Sequence, residues 1–472
     1  MSSSGRGFRW LASGLGALFL AGCAVGPDYH RPALDVGAQY RQADGWTQVH
    51  ATDVKLRLDW WLLFNDPVLD TLMQDVLVSN QTIAQVEAQY RQARALLRES
   101  QSAFFPVAGV GADVSRSRSG QSDPQREYSL SGNVSWEVDL WGRIRRGVES
   151  DQAQMLASQA DLAATRLSVQ STLAQTYFQI RSSDAALRLL AQTITAYERS
   201  FQITRNRLQA GVVSPLDVAS AQVQLENARA QLQALERQRR QLENALAVLL
   251  GKAPSQFRLE EARTSVSIPL IPAGLPAQLL VRRPDVVAAE RRMAAANAEI
   301  GVAQAAWFPD LVLSAQGGFR SGQWAQWLTA PFSFWSVGPA LAATLFDGGA
   351  RSARVDQARA RYDAEVAAWR QTALSALQEV EDYLVALASF EQEQGMQGRA
   401  LAAARESLRL TRNQYEAGLI DYLSVVQVEA SALSAEREAI DLGAQRLIAS
   451  VQLIAALGGG WEGAGSEPLA AH

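Results

Sequence analysis

The stretch from Arg126 to Gly211 strongly constrains the fold, because it begins as a strand and continues almost directly as a very long helix. From Tyr128 to Leu140, apolar and polar side chains alternate without a break, which predicts a strand with one apolar and one polar face. After Trp141-Gly142, the run from Arg143 to Ala210 contains no proline and a single glycine. Such a run predicts one uninterrupted helix.

Inside this helix, apolar residues recur at every seventh position: Leu173, Ile180, Leu187, Ile194, Phe201 and Leu208. A heptad sustained over this length predicts coiled-coil-like packing of long helices. At 1.5 Å per residue, the helix would reach roughly 100 Å. A rod of this length joined to a two-faced strand is expected in a membrane pore with a helical extension.

Composition narrows the class of protein. The formal net charge is −4, so no basic surface indicates nucleic acid as a partner. No uninterrupted apolar run after residue 30 reaches the roughly 20 residues that a spanning helix needs. If the mature chain crosses a bilayer, we therefore expect it to do so with strands.

The single cysteine lies at the end of an N-terminal signal peptide, residues 1–22. A short apolar segment, Trp10 to Phe19, leads into Leu20-Ala21-Gly22-Cys23, which resembles the bacterial lipobox. In that class of signals the cysteine is acylated and becomes the first residue of the mature chain. A buried, unmodified cysteine after an ordinary signal peptide is the alternative. Ala24 after the cysteine favours sorting to the outer membrane.

The rest of the chain is predicted to contain one unit twice. Asn206 to Gly211 aligns with Asn413 to Gly418 at an offset of 207 residues, and Gly251 then falls on Gly458. Each unit consists of a helix, a strand hairpin, a long helix, a tight tip and a shorter helix.

The predicted bounds follow from caps, prolines and periodicity. Residues 23–61 form an acylated, extended periplasmic segment, and 252–276 a linker. The first repeat, 62–251, has a helix from Asp66-Pro67 to about Ser102, strands at about 107–118 and 127–140, and helices 143–210 and 215–250. The second repeat, 277–461, has helix 284–306, strands at about 310–320 and 333–346, and helices 349–417 and 421–457. A break is expected at Gly395 and Gly398, and 462–472 form a disordered tail.

No catalytic, cofactor-binding or metal-binding set is predicted, and the chain is not expected to be an enzyme. Its three histidines, His30, His50 and His472, are scattered through the terminal regions. Most carboxylates on long helices are solvated. Gly109-Val110-Gly111 is not followed by the helix that a dinucleotide-binding loop requires.

Four short strands cannot close a barrel alone, and an open sheet edge cannot lie in lipid, so an oligomer is required. Tryptophans in or beside the predicted strands support a membrane location, where aromatic girdles occur. They are Trp136, Trp141, Trp307, Trp324, Trp327 and Trp335. A soluble sandwich with an aromatic core is less compatible with the polar alternate face.

The order of elements resembles the outer-membrane factors of tripartite efflux pumps, the TolC/OprM-like family, and most closely its NodT-type lipoprotein branch. The resemblance covers nearly the whole mature chain and depends on motifs that occur together in this order. They are Val25 to Tyr29, Trp60-Trp61 with Phe64-Asn65-Asp66-Pro67, Arg283-Pro284-Asp285, Trp307-Phe308-Pro309, Leu345 to Gly349, and Ala456 to Trp461.

This resemblance implies an α+β membrane protein that forms a homotrimer in the cell outer membrane. Three chains would form a twelve-stranded β-barrel, with four strands from each chain, continued by a periplasmic α-helical barrel. The hairpin tips, at Gly211-Val212 and Gly418-Leu419, would contact a periplasmic membrane-fusion adaptor. An inner-membrane RND-type transporter would supply the energy, so this chain would be a passive conduit for small molecules.

Two sets of site residues follow. Val134, Trp136 and Val138 are expected to face outer-membrane lipid. The resemblance also implies a periplasmic gate just past the second tip, where relatives have a leucine and, four residues later, an aspartate that form constricting rings. Here Leu423 matches the leucine, but Gln427 replaces the aspartate; Asp421 and Tyr422 lie at the same helix start.

Three alternatives remain open. One is an outer-membrane channel of a type I protein secretion system. Another is a periplasmic coiled-coil scaffold lipoprotein that forms no channel, which predicts polar, non-alternating residues at 128–140. The third is a periplasmic enzyme, which would need a convergent polar site that the sequence does not show. The sequence does not identify the exported substrate.

Overall fold

The computed structural model describes residues 24–37, 40–41, 58–121, 123–261, 269, 271, 282–326 and 328–461. Contacts divide the chain into two compact units. The first comprises residues 1–34, 88–159 and 288–371, and the second comprises 35–87, 160–287 and 372–472. Each unit therefore draws on both halves of the sequence. Cys23, Trp327 and the tail 462–472 lie outside the described residues, and so does most of the predicted linker.

The described helices and strands form two similar series, of six and of five elements. The first series is α1 Pro67–Ser79, α2 Gln81–Ser102, β1 Val107–Ser117, β2 Gln125–Val138, α3 Arg143–Gln209 and α4 Pro215–Leu249. The second series is α5 Pro284–Ala305, β3 Asp310–Ser321, β4 Ser333–Ala342, α6 Ala350–Glu416 and α7 Tyr422–Ala456. Both long helices, α3 and α6, have 67 residues, and both α4 and α7 have 35.

The first unit contains one antiparallel sheet with strand order β1-β2-β3-β4. Strand β2 ends at Val138, where Asp139 takes over as the cap of α3. Its two carboxylate oxygens accept hydrogen bonds from the backbone N–H groups of Ile144, at 3.1 Å, and Arg145, at 2.9 Å. This cap explains how a strand becomes a long helix within a few residues.

The second unit has an aromatic core around the start of α1. Trp60, Phe64 and Phe178 are almost fully buried, and the rings of Phe64 and Phe178 lie 5.1 Å apart. Asp66 caps α1 through Val68 and Leu69, and its second carboxylate oxygen accepts a 2.6 Å hydrogen bond from Tyr177. The expected extended segment therefore stops before Trp60, because Trp60–Phe64 forms a buried 3-10 helix.

The expected heptad stripe of α3 is inside the protein. Leu173, Ile180 and Ile194 are buried, and the other three heptad residues are half-buried. Arg283, from the Arg-Pro-Asp motif, is also buried. Its guanidinium bonds Asp285, Glu379 and the backbone oxygen of Ala456, so it connects the start of α5 to α6 and the end of α7.

Two predicted helix boundaries are wrong. The first helix is divided at Asn80, whose side chain accepts from the backbone N–H of Ile83 and donates to the backbone oxygen of Leu249. Conversely, α6 continues without a break through Gly395 and Gly398. A helical glycine costs only about 1 kcal/mol relative to alanine, too little to interrupt a helix of this length.

Among the described residues, one helix, α7, passes a test of length and average hydropathy for a membrane span. The sequence predicts no spanning helix, because no uninterrupted apolar run after residue 30 is long enough. Helix α7 contains buried Val425, Glu429, Leu453 and Ile454, so part of its apolar surface is covered by helix packing. Length and composition alone do not make it a spanning helix.

Candidate functional site: a two-faced sheet, two helical tips and a helix start

The sheet has one apolar and one polar face across all four strands. Residues that pair directly across neighbouring strands share a face. Val134 pairs with Ala108 and Ala315, and Ala315 with Val337. The other rungs on this face are mostly apolar or glycine: Ala112, Leu130 and Phe319, with Ser333 in β4; Val110, Gly132, Gly317 and Trp335; Trp136, Leu313 and Pro339; Val138, Leu311 and Leu341; and Val114 and Tyr128, with Ser321 in β3. The alternation predicted for β2 therefore extends over the whole sheet.

The opposite face is mostly polar or small. Asn133 pairs with Gly109 and Gln316, and Ser135 pairs with Val107 and Ser314. Glu137 forms an ion pair with Arg143 at the start of α3. These alternating faces argue against the scaffold alternative, which predicted non-alternating residues over 128–140.

Large apolar side chains on the first face are exposed in the single chain. The exposed fraction is 40% for Val134, 71% for Val337 and 80% for Trp335. Val138 is half-buried, and Trp136 donates from its indole nitrogen to the backbone oxygen of Phe104 at 3.0 Å. Trp141 differs from the expected girdle residues, because it stacks on Phe308 at 4.7 Å and donates to the oxygen of Pro309.

Both helical tips have the same backbone geometry. Gly211 and Gly418 have φ angles of +72° and +76°, in the left-handed region that glycine tolerates. The residue after each glycine donates back to the preceding helix, Val212 to Arg207 and Leu419 to Gln414, both at 2.9 Å. This is the Schellman ending of a helix. Val212 and Leu419 are 69% and 74% exposed, so each tip presents an apolar side chain.

The helix start after the second tip presents two of the four predicted gate residues. Leu423 is 50% exposed, and Gln427, four residues later on the same helical face, is also exposed. Asp421 is the cap of α7. Its carboxylate accepts from the backbone N–H and the hydroxyl of Ser424, at 3.0 and 2.6 Å, and these bonds hold the pKa of Asp421 below its usual value. Asp421 therefore serves the helix start.

Tyr422, also predicted as a gate residue, does not share this exposed surface. The side chain is only 2% exposed, its hydroxyl lies 2.9 Å from that of Ser200, and its ring lies 5.5 Å from that of Tyr415. The positions of these residues around α7 explain the difference. Tyr422, Val425 and Glu429 lie on the buried face of the helix, whereas Leu423 and Gln427 lie on an exposed face.

Helix α7 also carries a buried charge near the tip that is not among the predicted site residues. Glu429 is 5% exposed and forms a 2.8 Å ion pair with Arg412 of α6. Burial raises the pKa of the nearby Tyr197 hydroxyl to about 12, and the charge of Glu429 adds to this. The sequence contains an indication of this burial. Glu429 lies seven residues after Tyr422, and residues seven apart occupy one helical face.

The N-terminal segment from Ala24 to Tyr29 packs on residues of the first unit. The backbone N–H of Val25 donates to the oxygen of Trp141 at 3.0 Å. The buried guanidinium of Arg146 donates to the backbone oxygens of Val25 and Gly26 and to the carboxylate of Asp28. Residue 24 is thereby fixed beside the β2–α3 junction, immediately after the predicted acylation site.

A sheet with one apolar and one polar face, joined to long paired helices, defines a subunit of a membrane channel. The profile of the family described as "Outer membrane efflux protein" matches residues 72–252 and 275–459. The chain belongs to this outer membrane efflux protein family.

Individual relatives match along nearly their whole length. The probable efflux pump outer membrane protein TtgC of Pseudomonas putida is 31% identical over 455 residues, which cover 94% of each chain. The cation efflux system protein CusC of Escherichia coli is 31% identical over 94% of this chain and 97% of its own. Among solved structures, the outer-membrane channel OprN has a TM-score of 0.86 at 31% identity and covers 93% of this chain and 100% of its own. The chain is an outer-membrane channel of the efflux type.

Proposed function

We propose that three copies of this chain assemble into a passive outer-membrane channel of a tripartite, RND-type efflux system. The observation that carries this proposal is the sheet, which has a continuous apolar face and two edges without a neighbouring strand among the described residues. Lipid provides no hydrogen-bonding partner for such edges, so the sheet requires further strands from other copies. Three copies would supply a twelve-stranded barrel, and their long helices would supply the periplasmic tunnel.

We propose that the channel exports small molecules, which an adaptor and an inner-membrane pump deliver to it. Relatives carry names that refer to toluene, antibiotics and cations, so their names agree on efflux and differ in cargo. Deletion of the gene should raise sensitivity to the compounds that the system exports, and a plasmid copy should reverse it. If accumulation of a panel of organic compounds and metal ions is unchanged by deletion, the proposal fails.

The proposed gate is steric at Leu423 and uncharged at Gln427. In a threefold assembly, each exposed side chain would form a ring of three. Carboxylates in such a ring repel one another and attract cations, whereas amides can close it by hydrogen bonds without charge. Asp421 caps α7 through one carboxylate oxygen, which accepts both hydrogen bonds from Ser424.

Leu423→Ala should raise the open fraction of single channels in a planar bilayer, and Gln427→Asp should increase cation selectivity. Truncating the leucine removes the side chain that fills the constriction, and the new carboxylates favour cations. Leu216→Ala is the matched control, because Leu216 occupies the corresponding position after the first tip and is 72% exposed. An unchanged open fraction in Leu423→Ala would place the constriction elsewhere.

Cys23 is proposed to carry lipid and to be the mature N-terminus. Mass spectrometry should find an acylated N-terminal peptide that begins at Cys23. Cys23→Ser with a cleavable signal should weaken anchoring more than trimer assembly, because the barrel itself would hold the trimer in the membrane. An unmodified chain that begins at another residue would refute the lipid anchor.

A further inference from the structure

The apolar face of the sheet ends, near the turn between β1 and β2, in a pair of arginines. Arg116 of β1 pairs directly with Arg126 of β2, one rung beyond Val114 and Tyr128. Because side chains alternate along both strands, the two arginines lie on the same face as Val134. Both side chains are exposed. Among the paired residues of this face, the arginine rung is the charged exception.

Two like charges directly opposite each other destabilise a pair of strands, and an anion between them would relieve the repulsion. Glu127, the acid next to Arg126 in β2, lies on the polar face and forms an ion pair there with Arg320 at 3.5 Å. Asp123, in the turn of the hairpin, is exposed. Within the part of the chain that the structure describes, no carboxylate forms an ion pair with Arg116 or Arg126. The described chain therefore does not supply the anion.

The position of the arginine rung matches the headgroup level of a membrane. Helices α2 and α3 adjoin the other ends of β1 and β2, so the turn of the hairpin lies away from the helical, periplasmic end. Ten positions separate Tyr128 from Val138 on the apolar face, which is about 34 Å along a strand. At the tilt of roughly 35–45° found in barrel strands, this length crosses roughly 25 Å, the usual height of the apolar band. The arginine rung comes next, just beyond that band.

Two aromatic rings support this level independently. The ring of Trp324, which follows β3, lies 5.4 Å from the ring of Tyr128 in an edge-on arrangement, and Trp324 is exposed. Tyrosine and tryptophan concentrate where acyl chains meet headgroups, because each combines an apolar ring with a polar group. Arg126 lies two residues beyond Tyr128, on the side of the headgroups.

We propose that Arg116 and Arg126 together bind a phosphate group of lipid A, the phosphorylated glycolipid of the outer leaflet. This inference rests on the proposed function, which supplies the barrel and its lipid-facing side. A guanidinium presents a planar fork of N–H groups that can donate two parallel hydrogen bonds to phosphate oxygens. A phosphate between the two forks replaces their repulsion with charge-assisted contacts. Lipid is favoured over free phosphate, because acyl chains below the phosphate would cover Val114, which is 66% exposed.

Titration of the purified full-length protein in detergent tests the proposal. The probes are bisphosphorylated lipid A, the same lipid after removal of its phosphates, and inorganic phosphate alone, with bound molecules counted by native mass spectrometry. Arg116→Gln combined with Arg126→Gln should bind phosphorylated lipid A roughly tenfold or more weakly than the wild type, because charge-assisted hydrogen bonds are lost. Arg320→Gln is the matched control, since Arg320 lies at the same end of the sheet on the polar face, and it should bind as the wild type does.

Wild-type protein should also prefer phosphorylated to dephosphorylated lipid A, a comparison that needs no variant and therefore holds even if the glutamine pair fails to assemble. Equal affinity for the two lipids overturns the proposal, and so does an equal loss of binding in Arg320→Gln or no loss in the glutamine pair. Inorganic phosphate bound as tightly as lipid A would overturn the lipid as the ligand.

The proposed function is judged separately, by single-channel steps of the same wild-type preparation in a phospholipid bilayer that contains no lipid A. Steps without a preference for phosphorylated lipid A would overturn this inference alone. Trimeric, inserted protein that gives no steps would overturn the proposed function instead.

Discussion

Val134→Arg is expected to remove most of the trimer from the outer membrane, whereas Ser135→Arg should leave most of it assembled. Val134 lies on the apolar face, between Ala108 and Ala315, and Ser135 lies on the polar face, between Val107 and Ser314. A charge on the lipid face at mid-membrane costs about 2–4 kcal/mol, and a threefold barrel would incur that cost in every copy. The measurement is the yield of trimer in purified outer membranes.

The two substitutions introduce the same side chain on adjacent residues of one strand, so each is a control for the other. The total amount of chain in the cell envelope should be measured for both variants. This comparison separates a loss of trimer from a difference in expression or secretion. Equal loss of trimer in both variants would show that the proposed assignment of the lipid face is wrong.

Gly418→Val should abolish most efflux while the amount of trimer stays near that of the wild type. The φ angle of +76° is costly for any residue with a Cβ atom and most costly for a β-branched one. A penalty of about 1–2 kcal/mol would change the turn at the tip, where Leu419 is exposed and an adaptor is proposed to bind. Efflux of a fluorescent substrate and crosslinking to the adaptor are the readouts.

Gly398→Val is the matched control, because Gly398 lies inside α6, the helix that ends just before Gly418, with a helical backbone and open space where a Cβ would be. Valine has a slightly higher helix propensity than glycine, so this variant should keep the helix and retain efflux. The corresponding change at the first tip, Gly211→Val, tests whether both tips contribute. Unchanged crosslinking to the adaptor with valine at both tips would refute the tips as adaptor contacts.

Much of the fold follows from local rules in the sequence. The alternation at Tyr128–Leu140 predicts strand β2, and the absence of proline after Gly142 predicts a helix that the structure ends at Gln209. The tip glycines have the positive φ angles expected of them, because a helix that ends in a tight turn needs a left-handed residue. These features depend on neighbouring residues, which a sequence displays directly.

The errors arise where distant residues decide the outcome. Asn80 divides the first helix because its side chain also bonds Leu249, 169 positions away in sequence. The buried position of Tyr422 depends on Ser200 and Tyr415 from other helices. Strand β4 ends early because its partner strand ends, which the alternation of β4 alone does not reveal.

Conductance of the purified protein in a planar bilayer shows whether this chain forms a passive channel. A passive channel of three copies should give discrete single-channel steps without nucleotide, ion gradient or partner protein, and Leu423→Ala should lengthen the open periods. If protein verified as trimeric and inserted gives no steps, in either the wild type or Leu423→Ala, the chain does not form such a channel.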